Sequence, residues 1–144
     1  MPAASARPGR VLGVDVGTVR VGVAVSDPDR LVATPLDTVP GGEDLAVRLV
    51  RLAAEEACDT VVVGLPRALS GRDTDSTRVA RTVADGVRAA GLRVELWDER
   101  LSSVEAERVL LVAGRRRAQR RTERDRVAAT IILQGWLDAR RTTE

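Results

Sequence analysis

GVDVGTVRVGVAVSD, from Gly13 to Asp27, decides the fold. Val11 to Val16 predicts a strand and Val19 to Ser26 a second. In the second, Val19, Val21, Val23 and Val25 alternate with Arg20, Gly22, Ala24 and Ser26. That is period two, with one branched face and one mostly small face. Gly17-Thr18 between the two runs signals a hairpin. One residue breaks the apolar pattern of the first strand. Asp15 puts a carboxylate where burial is costly unless the group is paired or bound to metal. Its neighbours on the same strand face, Gly13 and Gly17, lack side chains, which reads as room for a ligand. The competing reading is an Asp that serves the turn.

Outward from this hairpin, Leu31 to Val39 predicts a third strand, with Pro35 marking an irregularity or an edge. Gly41-Gly42 breaks the chain. Glu43 to Ala57 follows with Leu45, Leu49, Leu52 and Ala53 at helical spacing, a run that extends to Cys58. Thr60 to Gly64 is short and apolar, as a buried parallel strand is. Leu65 to Thr74 reads as a loop. A helix then carries Val79, Val83 and Val87 on one stripe, and Gly91 suits its C-terminal cap. Leu92 to Trp97 is a fifth strand. Ser102 to Glu105 has capping-box spacing for a short helix ending near Gly114. An Arg-rich loop leads to a last helix from about Thr122 to Ala139, with Val127, Ala128, Ile131, Ile132 and Trp136 inward. Three strands followed by alternating helices and strands predict an α/β fold. Its sheet is mixed and five-stranded, an antiparallel meander followed by parallel strands, with helices on both faces.

Composition narrows the chemistry. The chain has 144 residues, enough for one domain with a real core. The division expected is an N-terminal extension over 1–9 and a single domain over 10–140. There is no His and no Lys, and all 23 basic residues are Arg. That excludes a Ser-His-Asp or Cys-His pair, His-ligated zinc, a Schiff base and a P-loop lysine. Carboxylates, arginines, hydroxyls and bound cations remain. Cys58 is the only cysteine, so it forms no internal disulfide, and a buried apolar role suits it. Met1 to Arg10 shows no signal-peptide core, and the apolar runs are too short to span a bilayer. A cytoplasmic protein without membrane association is the expectation. The net charge is +2, but Arg115 to Arg126 (RRRAQRRTERDR) holds seven arginines against two acids. Such asymmetry suggests a phosphate-facing patch.

Two further acids stand where chemistry gathers. Asp98-Glu99-Arg100 follows the fifth strand, and ligands collect beyond the carboxyl ends of parallel strands. A solvated strand end or a Glu99–Arg100 ion pair is the alternative. Asp125 lies in the first turn of the last helix, where an acid also favours the helix dipole.

Together these segments match a family. GVDVGTVRVGVAVSD (Gly13 to Asp27), VVVGLP (Val61 to Pro66), WDERLSS (Trp97 to Ser103) and DRVAATIILQGWL (Asp125 to Leu137) resemble the YqgF/RuvX family. That family is described as Holliday junction resolvase-like and as a pre-16S rRNA nuclease. The loop Arg67 to Ser76 matches loosely, and arginines stand where the family has lysines before the last motif. The resemblance implies a ribonuclease H-like fold and an active site of Asp15, Glu99 and Asp125. Hard carboxylate oxygens suit Mg²⁺ or Mn²⁺, with two ions expected to act on a phosphodiester. Asp15 would bridge, and Glu99 and Asp125 would each hold one side. Arg100, Arg115, Arg116, Arg117, Arg120 and Arg121 are the candidate nucleic-acid contacts. The expected function is metal-dependent cleavage in maturing the 5′ end of precursor 16S rRNA. The alternatives are a resolvase of four-way DNA junctions or a non-catalytic nucleic-acid binding factor. The partner is nucleic acid, precursor rRNA or branched DNA, met as a monomer or weak homodimer. Gly13 to Thr18 also resembles the phosphate-binding turn of the actin, sugar-kinase and Hsp70 ATPases, but one domain of this size cannot form their two-domain cleft.

Overall fold

A computed structural model describes residues 9–17, 19–66, 72–99 and 121–143, excluding the side chains of 121–125, 142 and 143. The strands are β1 (Arg10–Val16), β2 (Arg20–Ser26), β3 (Ala33–Pro40), β4 (Cys58–Leu65) and β5 (Arg93–Asp98). The helices are α1 (Leu45–Glu55), α2 (Asp75–Ala89) and α3 (Arg121–Thr143). The five-stranded sheet has the order β3-β2-β1-β4-β5. β2 pairs antiparallel with β1 and β3, while β4 pairs parallel with β1 and β5. This is the mixed sheet expected from the sequence, with β3 at one edge.

The strand alternation decides which helix covers which face. Leu12, Val14 and Val16 of β1, the odd-numbered valines of β2, and Val61, Val63 and Leu65 of β4 form one core with α1 and α2. The opposite face carries small residues. Val11, Ala24 and Val62 meet Ala129, Ile132, Leu133, Trp136 and Leu137 of α3 there. The glycines on this face let α3 come close. A Cβ at Gly13 would stand 2.6 Å from Leu133 Cβ, and one at Gly64 would stand 2.5 Å from Ile132 Cδ1. The small face of β2 is therefore a seat for a helix. Ser26 completes the seam: its hydroxyl accepts from the Val11 N–H at 2.9 Å, where the β1–β4 register shifts. Gln134 pins α3 to β3, accepting from the Ala33 N–H at 2.9 Å and donating to the Leu31 carbonyl at 3.0 Å.

Several local expectations need correction. α1 stops at Glu55, and Cys58 opens β4 instead of extending the helix. Ala57 turns the chain with a φ of 58°. Val19 precedes β2 and is 70% exposed, so the alternation begins at Arg20. β3 starts at Ala33, and its register shifts between Asp37 and Pro35, the irregularity that Pro35 signalled. On α2 the buried stripe is Thr77, Ala80, Val83, Ala84 and Val87, while Val79 is 48% exposed. A capping box not read from the sequence starts that helix, with Thr74 and Thr77 exchanging side-chain to backbone hydrogen bonds. On α3, Val127 and Ala128 are half-buried, and Ala129, Leu133 and Leu137 take the deep positions. The expected helix from Ser102 to Gly114 and the loop Arg67 to Gly71 lie outside the described residues.

Candidate active site

Asp15 lies on the α3 face near the carboxyl end of β1, where both neighbouring strands are bare. Gly22 of β2 is directly opposite it. Val14 pairs with Val63 of β4, so the next step brings Gly64 alongside Asp15. The space beside the carboxylate comes from these cross-strand glycines. Gly13 does not supply it, as the sequence suggested, because Leu133 fills that position. Gly17 belongs to the turn and donates to the Arg20 carbonyl at 3.1 Å.

Glu99 reaches the same place from β5. Its Oε2 lies 3.2 Å from the point a Cβ on Gly64 would occupy. That oxygen is buried and has no hydrogen-bond partner among the described residues. Burial first, then the charge of Asp15 and a hydrogen bond shared with it, then Asp98, push the Glu99 carboxyl up to about 7. Acids brought together at a sheet end, one with an orphaned oxygen, form a repulsive arrangement. A divalent cation relieves it by replacing like-charge contact with coordination. The donor set is hard oxygen throughout, so these residues fit Mg²⁺ or Mn²⁺. Among the described residues, no set of three His, Cys, Asp or Glu side chains gathers to hold a metal.

Asp125 belongs to the first turns of α3. The Ala129 carbonyl lies 3.2 Å from the Cβ position at Gly13, and the later residues Gln134 and Arg141 bond the Leu31 carbonyl at the other end of the sheet. α3 therefore runs opposite to β1. One turn back from Ala129 is about 6 Å of helix, and two residues on from Gly13 is about 6.6 Å of strand. These matched steps bring the Asp125 backbone to the Asp15 end of β1. Its side chain lies outside the described residues.

The expected nucleic-acid contacts fall largely beyond description. Arg100, Arg115, Arg116, Arg117 and Arg120 lie outside the described residues, and Arg121 is described only as the first residue of α3. Arg126, one residue past Asp125, carries a buried Nε with no partner among the described residues, a feature no local pattern announced. Trp97 packs its ring 3.3 Å from the Cβ position at Gly135, and Trp136 is 5% exposed. Neither tryptophan offers an open face for a base. The lone Cys58 is buried, and desolvation followed by the charge of Glu56 pushes its thiol up to about 12. It is a core residue.

A sequence profile of the RuvX family, described as a Holliday junction resolvase, matches residues 9–139. The chain belongs to the RuvX family. Among relatives of similar length, a Mycobacterium ulcerans protein is 50% identical over 139 residues, covering 93% of this chain and 81% of that one. A Mycobacterium tuberculosis protein is 47% identical over 137 residues, covering 92% and 80%. Both carry the provisional name of pre-16S rRNA nuclease. Among solved structures, Thermus thermophilus RuvC in complex with a Holliday junction substrate matches with a TM-score of 0.60 at 19% identity, covering 93% of this chain and 96% of that one. Fowlpox virus resolvase with Holliday junction DNA matches at 0.55 and 9% identity, covering 90% and 97%. At these identities the likeness shows the fold alone, which is ribonuclease H-like.

Proposed function

We propose that this chain is a metal-dependent nuclease that cleaves phosphodiesters in maturing the 5′ end of precursor 16S rRNA. The observation that carries the reading is the meeting of Glu99 with Asp15 over Gly64, with Glu99 Oε2 buried and unsatisfied. Relatives of near 50% identity with the provisional rRNA nuclease name support the substrate. Asp15, flanked by glycines, would hold the metal ions jointly with Glu99 and Asp125, which would each take one side. Two Mg²⁺ or Mn²⁺ ions, when bound, supply an activated water and neutralise charge on the leaving oxygen. The chain's own part is to fix the carboxylates on rigid elements. β1 and β5 hold Asp15 and Glu99 through the sheet, and α3, seated tightly on glycines, holds Asp125. Arg100, Arg115, Arg116, Arg117, Arg120 and Arg121 take the phosphates flanking the cut, reading backbone more than base. The working unit is a domain over 10–140 behind an N-terminal extension, acting in the cytoplasm as a monomer or weak dimer. No helix among the described residues is long and apolar enough to cross a membrane.

The profile's description favours a second substrate, the four-way DNA junction. One comparison separates the two: cleavage of RNA bearing the precursor 5′ end against cleavage of synthetic junctions, with and without Mg²⁺ or Mn²⁺. Metal-dependent cleavage confined to the precursor RNA is expected. Symmetric cutting of junctions with no action on the RNA would transfer the site to the resolvase reading. Undiminished cleavage in excess EDTA would remove the metal mechanism.

A further inference from the structure

The end of the sheet opposite the acids carries a pocket of about 410 Å³. Arg30, Arg93, Arg140 and Arg141 line it, with Asp29 the one acid among its lining residues and Trp136 in its wall. Arg140 and Arg141 belong to the last turn of α3, where cations answer the helix dipole, so their presence alone requires no ligand. The dipole does not explain the other two. Arg30 comes from the β2–β3 turn and Arg93 from the first position of β5. Three distant parts of the chain thus bring arginines to the lining of one concavity.

Three of these four arginines are held in place. Arg30 donates to the Gly9 carbonyl at 2.8 Å and to Asp59 at 2.6 Å. Arg141 is paired with Asp138 and donates to the Leu31 carbonyl at 3.3 Å. The guanidinium carbon of Arg140 lies 4.8 Å from the centre of the Trp136 ring. Arg93 has no partner among the described residues and is exposed. Arg30 and Arg141 each commit two N–H groups, one to a carboxylate and one to a backbone carbonyl. A guanidinium has five N–H donors in a planar fork, so the others remain for an anion.

We propose that this pocket is a second anchoring site for a backbone phosphate of the nucleic acid cut at Asp15 and Glu99. The inference rests on the nuclease reading. α3 joins the two sites: Asp125 and Arg140 are 15 positions apart on it, about 22 Å of helix. A polyanion with repeating phosphates can occupy both ends at once, and 22 Å corresponds to about six or seven nucleotides at the 3.4 Å rise of a duplex strand. Only nucleic acid reaching that far from the cut gains the contact. The pocket therefore sets a length preference and leaves the chemistry unchanged.

The test uses fluorescence anisotropy in EDTA, across a salt series, with wild type, Arg93→Gln and Arg93→Gln/Arg140→Gln. Two labelled precursor RNAs serve as probes, one extending about 3 nucleotides to either side of the cut and one about 12, spans chosen to fall short of and beyond that reach. On the long RNA, each lost phosphate contact should weaken binding about five- to eightfold at 0.1 M salt and flatten the log–log salt slope by about 0.7 to 0.9. On the short RNA, all three proteins should bind alike. Unchanged affinity for the long RNA, or equal weakening on both, would overturn the proposal. Thermal melting of each variant controls for folding, and Arg93→Gln disturbs no observed contact. Failure of the nuclease reading shows separately, as absence of metal-dependent cleavage with the length-dependent binding intact.

Discussion

Gly64 lies between α3 and the acids, and replacing it tests both at once. The Cβ of Gly64→Ala would meet Ile132 Cδ1 at 2.5 Å, Ile132 Cγ1 at 3.3 Å and Glu99 Oε2 at 3.2 Å. Ordinary carbon contacts lie near 3.5–4.0 Å, so the first is a clash. Ile132 is 3% exposed and cannot swing into solvent. Overpacking of this kind costs about 1–3 kcal/mol, offset by about 0.5–1 kcal/mol for removing a glycine from a strand interior. Gly64→Ala alone should therefore lose about 1–2 kcal/mol. Ile132→Val removes Cδ1 and alone costs about 0.5–1.5 kcal/mol. In the double variant the alanine methyl fills the vacated space, and the loss should be about 1 kcal/mol or less instead of the sum. Urea denaturation at pH 7 with a constant m-value measures all three. Additivity within about 0.5 kcal/mol would refute the packing of α3 on β4 described above. Cleavage by the double variant should stay below wild type even with stability restored, because the contact with Glu99 Oε2 remains.

Glu99→Gln should stabilise the metal-free protein above pH 7. The native carboxyl holds its proton up to about 7 against an ordinary value of 4.5, so this group's contribution is fully present below pH 4.5 and is lost as pH rises to 7. With a discount for partial exposure, the gain at pH 8 is on the order of 1–2 kcal/mol. Thermal melts in EDTA at pH 4.5 and 8 check this, and an equal shift at both would contradict it. Gln134→Ala should cost about 1–2 kcal/mol by stranding the Ala33 N–H, while the Leu31 carbonyl keeps its bond from Arg141; denaturation and faster hydrogen exchange at Ala33 read the loss.

The sheet was legible because its signals are local. Period two in β2 and short apolar runs in β1 and β4 gave the strands and the mixed, five-stranded sheet. What failed depended on tertiary partners. Gly13 facing a helix and a glycine facing a ligand read alike from the strand, and only Leu133 tells them apart. Helical spacing carries on past the end of α1, because Ala57 turns the chain through a positive φ that alanine rarely adopts, with no glycine to announce it. The valine stripe on α2 missed Ala80 and Ala84, small residues in the core shared with α1 and β4, and Thr77, buried against Thr74 and the Pro66 carbonyl. The acids at 15, 99 and 125 read singly as a turn residue, a strand end and a helix start. Their order along the chain, matched to a family, joined them. The pocket of Arg30, Arg93, Arg140 and Arg141 had no such aid, since no segment holds more than two of its arginines.

The most direct measurement of the central claim is the single-turnover rate of cleavage of precursor 16S 5′-end RNA against Mg²⁺ concentration, for wild type and Asp15→Asn. The account predicts saturable Mg²⁺ dependence for wild type, abolished by EDTA. It predicts a rate for Asp15→Asn lower by about a hundredfold or more at every Mg²⁺ concentration, because metal stabilisation of the transition state is worth several kcal/mol. Wild-type turnover by Asp15→Asn, with an unchanged Mg²⁺ response, would contradict it.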